Sequence, residues 1–207
     1  MRTGLVAGIT AVLSAAAPVV GASGATITDE ARALIALTRE TRATYTVISA
    51  NQVHREGEEL AHEWAAEFHD GIQHRVETPR DRIVADCEAK TGTYFGVETL
   101  DVISESGVAG AACGVNDNAT ILAARTTGLR DTAFGPATHL IVVDDQFVRT
   151  YDVASDGAIL GQTIRGRDGS LKLVSRAVYY KPSVPDGIFS IASLARTAVP
   201  ENMRKSR

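Results

Sequence analysis

The sequence predicts a mainly β protein with some helix, built on a single curved antiparallel sheet. Three Asp-Gly pairs, Asp70-Gly71, Asp156-Gly157 and Asp168-Gly169, separate stretches that are rich in apolar residues. Asp and Gly tolerate the positive φ angles of tight hairpin turns, so each pair predicts a hairpin. β-Branched residues are frequent between the turns, which is typical of strands. We therefore expect an unclosed half-barrel with one or two helices on its concave face.

The first 25 residues have the layout of a secretory signal peptide. Arg2 precedes an apolar stretch from Leu5 to Val20, and small residues occupy positions 21–25. We expect cleavage after Ala25, with Ala22 as the alternative. A membrane anchor is the other reading, but the stretch is short and interrupted for a span of about 20 apolar residues. With no later segment apolar enough to cross a membrane, the mature chain is expected to be soluble, in the periplasm or secreted.

The mature chain is long enough for one domain with a full core. We expect this domain to span residues 26–199, with a flexible tail at 200–207. The whole chain carries 21 Lys and Arg against 25 Asp and Glu, a net charge of −4 with His neutral. Because the two signs are interspersed and no basic stripe is present, we expect no nucleic-acid partner.

The chain has two cysteines, Cys87 and Cys113, separated by 26 positions. An even count in an oxidising compartment predicts a disulfide, which would stabilise the fold by about 3.5 kcal/mol in the chain-entropy model. A catalytic thiol is the alternative. Asp86 and Glu88 argue against it, because two acids beside Cys87 raise the pKa of its thiol.

The first predicted element is an amphipathic helix from Asp29 to about Thr41. Thr28 is a suitable N-cap, and the acidic residues of the first turn complement the helix dipole. Apolar residues then recur at helical spacing. The segment from Arg42 to His54 is rich in β-branched residues and is predicted to be a strand.

Residues 60–69 fit either a helix or a strand, because their large apolar residues recur at a spacing of four. The following turn favours the strand. A three-residue turn pairs Phe68 with Ile72 and Trp64 with Val76, which keeps the apolar residues on one face. A two-residue turn at Asp-Gly would mix apolar and polar residues.

The rest of the chain is predicted to continue the antiparallel sheet. Strands are expected at 82–87, 93–99, 138–143, 146–153, 158–165 and 171–180. The last hairpin pairs Ile164 with Leu173, so that apolar residues meet. Residues 104–118 are rich in small residues and are predicted to be a loop, and residues 118–125 to be a short helix.

A cluster of His62, Glu63, Glu67, His69 and His74 is the best candidate for metal binding. In the predicted register, His62 and His74 point inward and the other three point outward. Ligands on opposite faces of a sheet cannot share one ion, so we predict no metal site. The histidines are then packing and hydrogen-bonding groups of the sheet. We expect no cofactor either.

The sequence contains no strong catalytic motif. The mature chain has no Gly-x-Ser-x-Gly, the His62-Glu63 pair lacks the second His of a zinc-protease motif, and no phosphate-binding loop is present. The pair Asp144-Asp145 is predicted to form a hairpin turn rather than an acid–base pair. We predict no catalytic residue, although an exported enzyme using His62 or His74 on the inner sheet face is an alternative.

Apolar residues on the inner face of a curved sheet are the remaining candidates for function. A helix seldom fills the whole concavity, and burying an apolar ligand there gains about 25 cal/mol per Å². The sequence therefore predicts a site for a hydrophobic ligand. Its candidate residues are Tyr45, Val47, Trp64, Phe68, Ile72, Phe95, Phe147, Tyr151, Leu160, Ile164, Leu173 and Tyr179.

The end of the chain reads Tyr179-Tyr180-Lys181-Pro182, followed by Pro185-Asp186-Gly187-Ile188-Phe189-Ser190. This ending, with the paired strands of segment 74–86, resembles the periplasmic outer-membrane lipoprotein carriers (LolA/LolB-like half-barrels). The resemblance implies an unclosed β-barrel with a helical lid that binds and transports lipid or lipoprotein acyl chains. Related half-barrels also serve as sensor or accessory domains, so an envelope protein partner is the alternative.

Overall fold

The computed structural model describes residues 26–55, 57–115 and 120–204. The predicted signal peptide lies outside the described residues. Within the described part of the chain, two α-helices and eleven strands are present. The helices are α1 (Asp29–Glu40) and α2 (Ser106–Ala112). The strands are β1 (Thr44–Val53), β2 (Ala61–Asp70), β3 (Gln73–Glu77), β4 (Asp81–Asp86), β5 (Thr91–Gly96), β6 (Val102–Glu105), β7 (Ala123–Thr132), β8 (Gly135–Val143), β9 (Phe147–Val153), β10 (Ile159–Gly166) and β11 (Leu171–Lys181).

All the strands belong to one antiparallel sheet in the order β6-β5-β4-β3-β2-β1-β11-β10-β9-β8-β7. Each strand of the two halves pairs with its neighbour in the chain, and the halves join where β1 pairs with β11. Strands β6 and β7 are the two edge strands and do not pair with each other, so the sheet is an unclosed half-barrel. The predicted fold class is confirmed.

Helix α1 forms as predicted. The Thr28 hydroxyl accepts a hydrogen bond of 3.2 Å from the backbone N–H of Ala31, which caps the first turn. Ala31 and Ile35 are buried against strands β7 to β9, where Leu140 and Tyr151 are among their neighbours. The helix therefore covers one half of the concave side of the sheet.

Helix α2 covers the other half and was not predicted, because residues 104–118 were expected to be a loop. Ala109 and Ala112 pack against Ala85 of β4. The predicted disulfide is present and joins Cys87 to Cys113, with their Cα atoms 5.7 Å apart. A helix of small residues has no apolar periodicity by which it could be predicted from the sequence. Its close packing and the disulfide compensate for its lack of large apolar side chains.

The two predicted hairpin registers have opposite outcomes. Ile164 pairs with Leu173, as expected. In the β2–β3 hairpin, however, Phe68 pairs with Arg75 and His69 with His74. The turn consists of Gly71 and Ile72 instead of three residues. Because the shift from the predicted register is an odd number of residues, every side chain of β3 moves to the opposite face.

Two smaller predictions also have different outcomes. The turn at Asp144 is confirmed, since its carboxylate accepts hydrogen bonds of 2.9 and 2.7 Å from the backbone of Gln146 and Phe147. The predicted helix at 118–125 is wrong in its described part. Residues 123–125 lie in β7, where backbone hydrogen bonds join Ala124 to the segment that precedes α1.

The chain crosses to the convex side of the sheet after β11. We call residues 182–204 the C-terminal segment; it includes 3₁₀ helices at Ile191–Ala195 and Glu201–Met203. Ile188 and Val199 of this segment are buried against Ile48 and Phe68. The sheet is therefore covered on both faces. No helix among the described residues is long and apolar enough to span a bilayer.

Candidate functional site: a hollow on the concave face

The twelve predicted ligand-binding residues do not share one face, so the prediction of a common inner face is corrected. The strand registers place seven on the concave side: Tyr45, Val47, Phe147, Tyr151, Leu160, Ile164 and Leu173. Four lie on the convex side: Trp64, Phe68, Phe95 and Tyr179. Ile72 lies in the β2–β3 turn.

The concave side contains a hollow of about 340 Å³ between the end of α2 and strands β1, β2, β10 and β11. Three of the predicted residues, Val47, Tyr151 and Ile164, line it. The other lining residues are Ser49, Ala65, Ala66, Glu67, Val76, Ala111, Ala112, Gly114, Arg149, Ile159, Gln162 and Ser175. Its volume lies near the lower end of the range for small-molecule sites.

The hollow exists because small side chains occupy the middle of the concave face. Ser49 and Ala65 are paired across β1 and β2, and Ser175 lies nearby on β11. Gly114 lets the chain pass the end of α1. It has a φ of +68°, and a Cβ atom there would lie 2.5 Å from the carbonyl oxygen of Thr38. Larger residues at these positions would fill the space or displace the helix.

Glu67 is the acidic group of the hollow. The Tyr45 hydroxyl donates a hydrogen bond of 2.8 Å to its carboxylate. Burial, together with the negative charge of Asp156, raises the pKa of Glu67 to about 7, and the bond from Tyr45 opposes this rise. A substantial fraction of Glu67 is therefore protonated at neutral pH.

Two buried histidines lie beside Glu67. The ring of His69 stacks on Tyr45 with centroids 4.7 Å apart, and the rings of His69 and His74 meet edge to face at 3.8 Å. His74 Nδ1 lies 3.9 Å from a carboxylate oxygen of Glu67. Burial lowers the pKa of His74 to about 3 and also lowers that of His69, so both rings are neutral.

This arrangement overturns the geometric reason for which a metal site was excluded. Glu67, His69 and His74 share the concave face and bring one donor atom each within 4.8 Å of one another. The other two members of the predicted cluster lie elsewhere. His62 is exposed on the convex face, and Glu63 forms ion pairs of 3.0 Å with Arg55 and 2.7 Å with Arg80.

The enzyme alternative placed His62 or His74 on the inner face; His62 lies on the convex face, whereas His74 lies on the concave face. The polar residues of the hollow were missed because they carry no motif. Ser49, Gln162 and Ser175 come from three strands that are distant in sequence, and only the tertiary pairing brings them together. The alternation of Glu63, Ala65 and Glu67 was a usable signal for Glu67, but Trp64 and Phe68 were taken as the inner face of the strand, which assigned Glu67 to the outer surface.

The convex side contains a different polar arrangement, which we call the Arg75–Glu77 clamp. Both side chains are fully buried. Arg75 donates to Glu77 at 2.7 Å, and to the carbonyls of Ile188 at 2.6 Å and Arg196 at 2.7 Å. Glu77 also accepts from the backbone N–H of Ala198 at 2.9 Å. The clamp thus fixes the C-terminal segment over the convex face.

Three of the convex apolar candidates, Trp64, Phe68 and Tyr179, pack against that segment. Phe68 and Tyr179 line a second cavity of about 310 Å³, closed over by Val184, Pro185 and Pro200. The chain's own C-terminal segment therefore occupies the surface that these residues form.

Comparison with known proteins identifies the architecture. No family model and no curated protein matches the sequence. Among solved structures, MucB aligns over 81% of this chain and 64% of its own, with a TM-score of 0.51 and 12% identity. An uncharacterized conserved protein from Thermus thermophilus aligns over 84% of this chain and 95% of its own, with a TM-score of 0.51 and 13% identity.

The chain shares its fold with MucB and with the Thermus thermophilus protein. The resemblance inferred from the sequence is thus confirmed at the level of the fold. A LolA superfamily protein, NE2245 from Nitrosomonas europaea, aligns over 79% of this chain and 99% of its own, with a TM-score of 0.43 and 11% identity. This LolA-like chain covers less than two thirds of the length of MucB.

Proposed function

We propose that the chain is an exported binding protein of the cell envelope, which holds the apolar part of a small ligand in the concave hollow. The observation that carries the proposal is the hollow itself. Its walls combine apolar side chains such as Val47 and Ile164 with a few polar groups, the composition that small-molecule sites have. The LolA-like fold and the disulfide between Cys87 and Cys113 support an oxidising envelope compartment.

The volume limits the ligand. About 340 Å³ accommodates one acyl chain or a small amphipathic molecule rather than several chains at once. The half-buried polar groups on the wall, Glu67, Gln162 and Arg149, orient a polar head at the edge of an apolar tail. Among lipid ligands, we propose single acyl chains, free or as part of a lipid or lipoprotein.

Native mass spectrometry of the exported chain tests this proposal. After mild extraction, the wild-type spectrum is expected to contain a population with added mass from a bound lipid. Ala65→Trp fills the hollow and is expected to abolish the added mass. The control Ala133→Trp places the same ring on the exposed β7–β8 turn and retains it. Equal ligand occupancy in the two variants, or none in the wild type, contradicts the proposal.

A second candidate function is binding to an envelope protein partner through the edge strand β6. Leu100, Val102 and Ile103, at or beside this edge, have exposed fractions of 69%, 59% and 45%. An exposed edge can pair with an extended segment of another chain. Pseudomonas aeruginosa MucB, a protein of similar fold, has been solved in complex with MucA.

A charged residue introduced on strand β6 distinguishes partner binding at this edge from ligand binding in the hollow. If β6 binds an extended segment, Val102→Lys reduces the partner recovered by cross-linking in envelope extracts and leaves the lipid mass in the native spectrum. The matched control is Val178→Lys, at a position with 57% exposure on the internal strand β11. Equal recovery with both variants contradicts partner binding at β6.

A further inference from the structure

Three side chains beside the hollow have the composition of a metal site. Glu67, His69 and His74 each offer a donor atom, and these atoms lie within 4.8 Å of one another. Two imidazoles and one carboxylate form a set that binds zinc with one coordination position left open. We propose that these three residues bind a single Zn²⁺ ion.

The hairpin register positions the donors. His69 and His74 are directly opposite each other in the β2–β3 ladder, and Glu67 lies two residues before His69 on the same face. Residues paired in this way have their Cβ atoms about 5 Å apart, which is close enough for two imidazoles to reach one ion. The two-residue turn between the strands, Gly71 and Ile72, agrees with this register.

The hydrogen bonds of His69 favour metal binding. Its Nε2 lies 3.0 Å from the carbonyl oxygen of Thr41 and therefore donates its proton to that oxygen. The backbone of Gly71 also lies near the ring, but Nδ1 makes no hydrogen bond of ordinary geometry and is the remaining lone-pair donor. A backbone carbonyl that accepts from the second ring nitrogen is the usual way in which a protein orients a metal-binding histidine. Tyr45, stacked on the ring, holds its plane.

His74 is fully buried, and neither of its ring nitrogens makes a hydrogen bond of ordinary length and angle. The backbone of Ala112 lies near the ring and raises its pKa, but this effect is smaller than the lowering of the pKa by burial. An unsatisfied buried polar group costs about 1–3 kcal/mol. An ion that accepts a nitrogen lone pair of His74 removes this cost, and the neutral ring is already in the form that binds metal.

The charge of the three donor residues and the access through the hollow also suit a Zn²⁺ ion. Glu67 contributes the single negative charge of the donor set, with Asp156 as a further acidic neighbour. Glu67 and Ala112 line the hollow, so an ion can enter through it and take its fourth ligand from there. Nitrogen donors favour zinc and its transition-metal neighbours over Ca²⁺ and Mg²⁺, which prefer oxygen.

Zinc titration of the full mature chain, without an affinity tag and stripped with a chelator, tests the site. Calorimetry with ZnCl₂ is expected to give one ion per chain, and dialysis with elemental analysis is expected to agree. His74→Gln and Glu67→Gln are each expected to weaken binding by at least about tenfold. The matched control, His62→Gln, changes an exposed histidine of the same hairpin and leaves the affinity unchanged.

A second measurement does not depend on the folding of a variant. Co²⁺ added to the wild-type chain is expected to give the intense visible absorption of a four-coordinate site, and Zn²⁺ is expected to displace it. A weak six-coordinate spectrum, a stoichiometry below one, or equal losses in His62→Gln and His74→Gln would overturn the proposal. Acyl-chain binding is read separately in the native spectrum, so failure of one proposal leaves the other testable.

Discussion

Strand β3 has buried polar groups on both of its faces, and the two faces differ in how well those groups are satisfied. On the convex face, the five N–H groups of Arg75 make hydrogen bonds to Glu77 and to the C-terminal segment. On the concave face, the neighbouring His74 has no hydrogen bond of ordinary geometry. The adjacent residues Arg75 and His74 thus differ: the hydrogen bonds around Arg75 are complete, and those around His74 are not.

This difference indicates which side of the sheet has a structural role and which side is available to a ligand. The protein completes the convex network with its own backbone, because the carbonyls of residues 188 and 196 and the N–H of residue 198 all point into it. Among the described residues, Arg82 Nε, 4.0 Å from a carboxylate oxygen of Glu77, is the buried side-chain atom of this network that makes no hydrogen bond of ordinary geometry. The concave side has both an unfilled hollow and unsatisfied donors, and buried polar groups normally have partners. This difference supports the proposal that the concave side binds the ligand, while the clamp on the convex side stabilises the fold.

The largest expected effect comes from breaking the clamp. Arg75→Met leaves the Glu77 carboxylate buried without its ion-pair partner, which is expected to lower the free energy of unfolding by about 3–5 kcal/mol. Urea denaturation measures the loss. The control Arg80→Met removes an exposed ion pair with Glu63 and is expected to cost about 0–1 kcal/mol. Similar losses in the two variants would show that the clamp is not a stabilising feature.

The disulfide is the next largest contribution and belongs to the concave side. Replacing Cys87 and Cys113 by serine is expected to lower the free energy of unfolding by about 3.5 kcal/mol, since the bond closes a long loop in the unfolded chain. It also releases the end of α2 from β4. Hydrogen exchange is expected to increase in residues 106–115 and to remain unchanged in residues 188–198. Faster exchange in the C-terminal segment instead would contradict the separation of the two sides.

A smaller, pH-dependent effect is expected from Glu67→Gln, measured with a chelator present. The pKa of Glu67 rises from 4.5 to about 7 on folding, so its contribution to stability is complete below pH 4.5 and is lost as the pH rises to 7. Glutamine does not titrate. The variant should therefore gain stability relative to wild type across this window, by up to about 1.4 kcal/mol per pH unit. A difference that is constant between pH 4.5 and 7 would contradict a buried, perturbed carboxylate.

The elements that the sequence predicted correctly are those with local signals. Thr28 and the acidic first turn indicate α1, and the Asp168-Gly169 turn sets the pairing of Ile164 with Leu173. The half-barrel follows from repeated hairpins of this kind. The disulfide follows from having only two cysteines in a chain that the sequence predicts to be exported.

The β2–β3 register could not be obtained in the same way. Matching apolar residues placed Phe68 opposite Ile72, whereas the folded chain places it opposite Arg75. Arg75 is tolerated on that buried face only because residues more than 110 positions later supply its hydrogen-bond acceptors. This one error also placed Glu67 and His74 on opposite faces, and so concealed the metal-binding geometry.

Hydrogen exchange with and without dodecanoate, used as a single-chain probe, tests the central assignment most directly. If the concave hollow is the binding site, the probe slows exchange in residues 109–115 and 162–164, which form part of its wall, and leaves residues 188–198 of the C-terminal segment unchanged. Protection confined to residues 188–198, or no protection at saturating probe, would contradict the assignment of binding to the concave side.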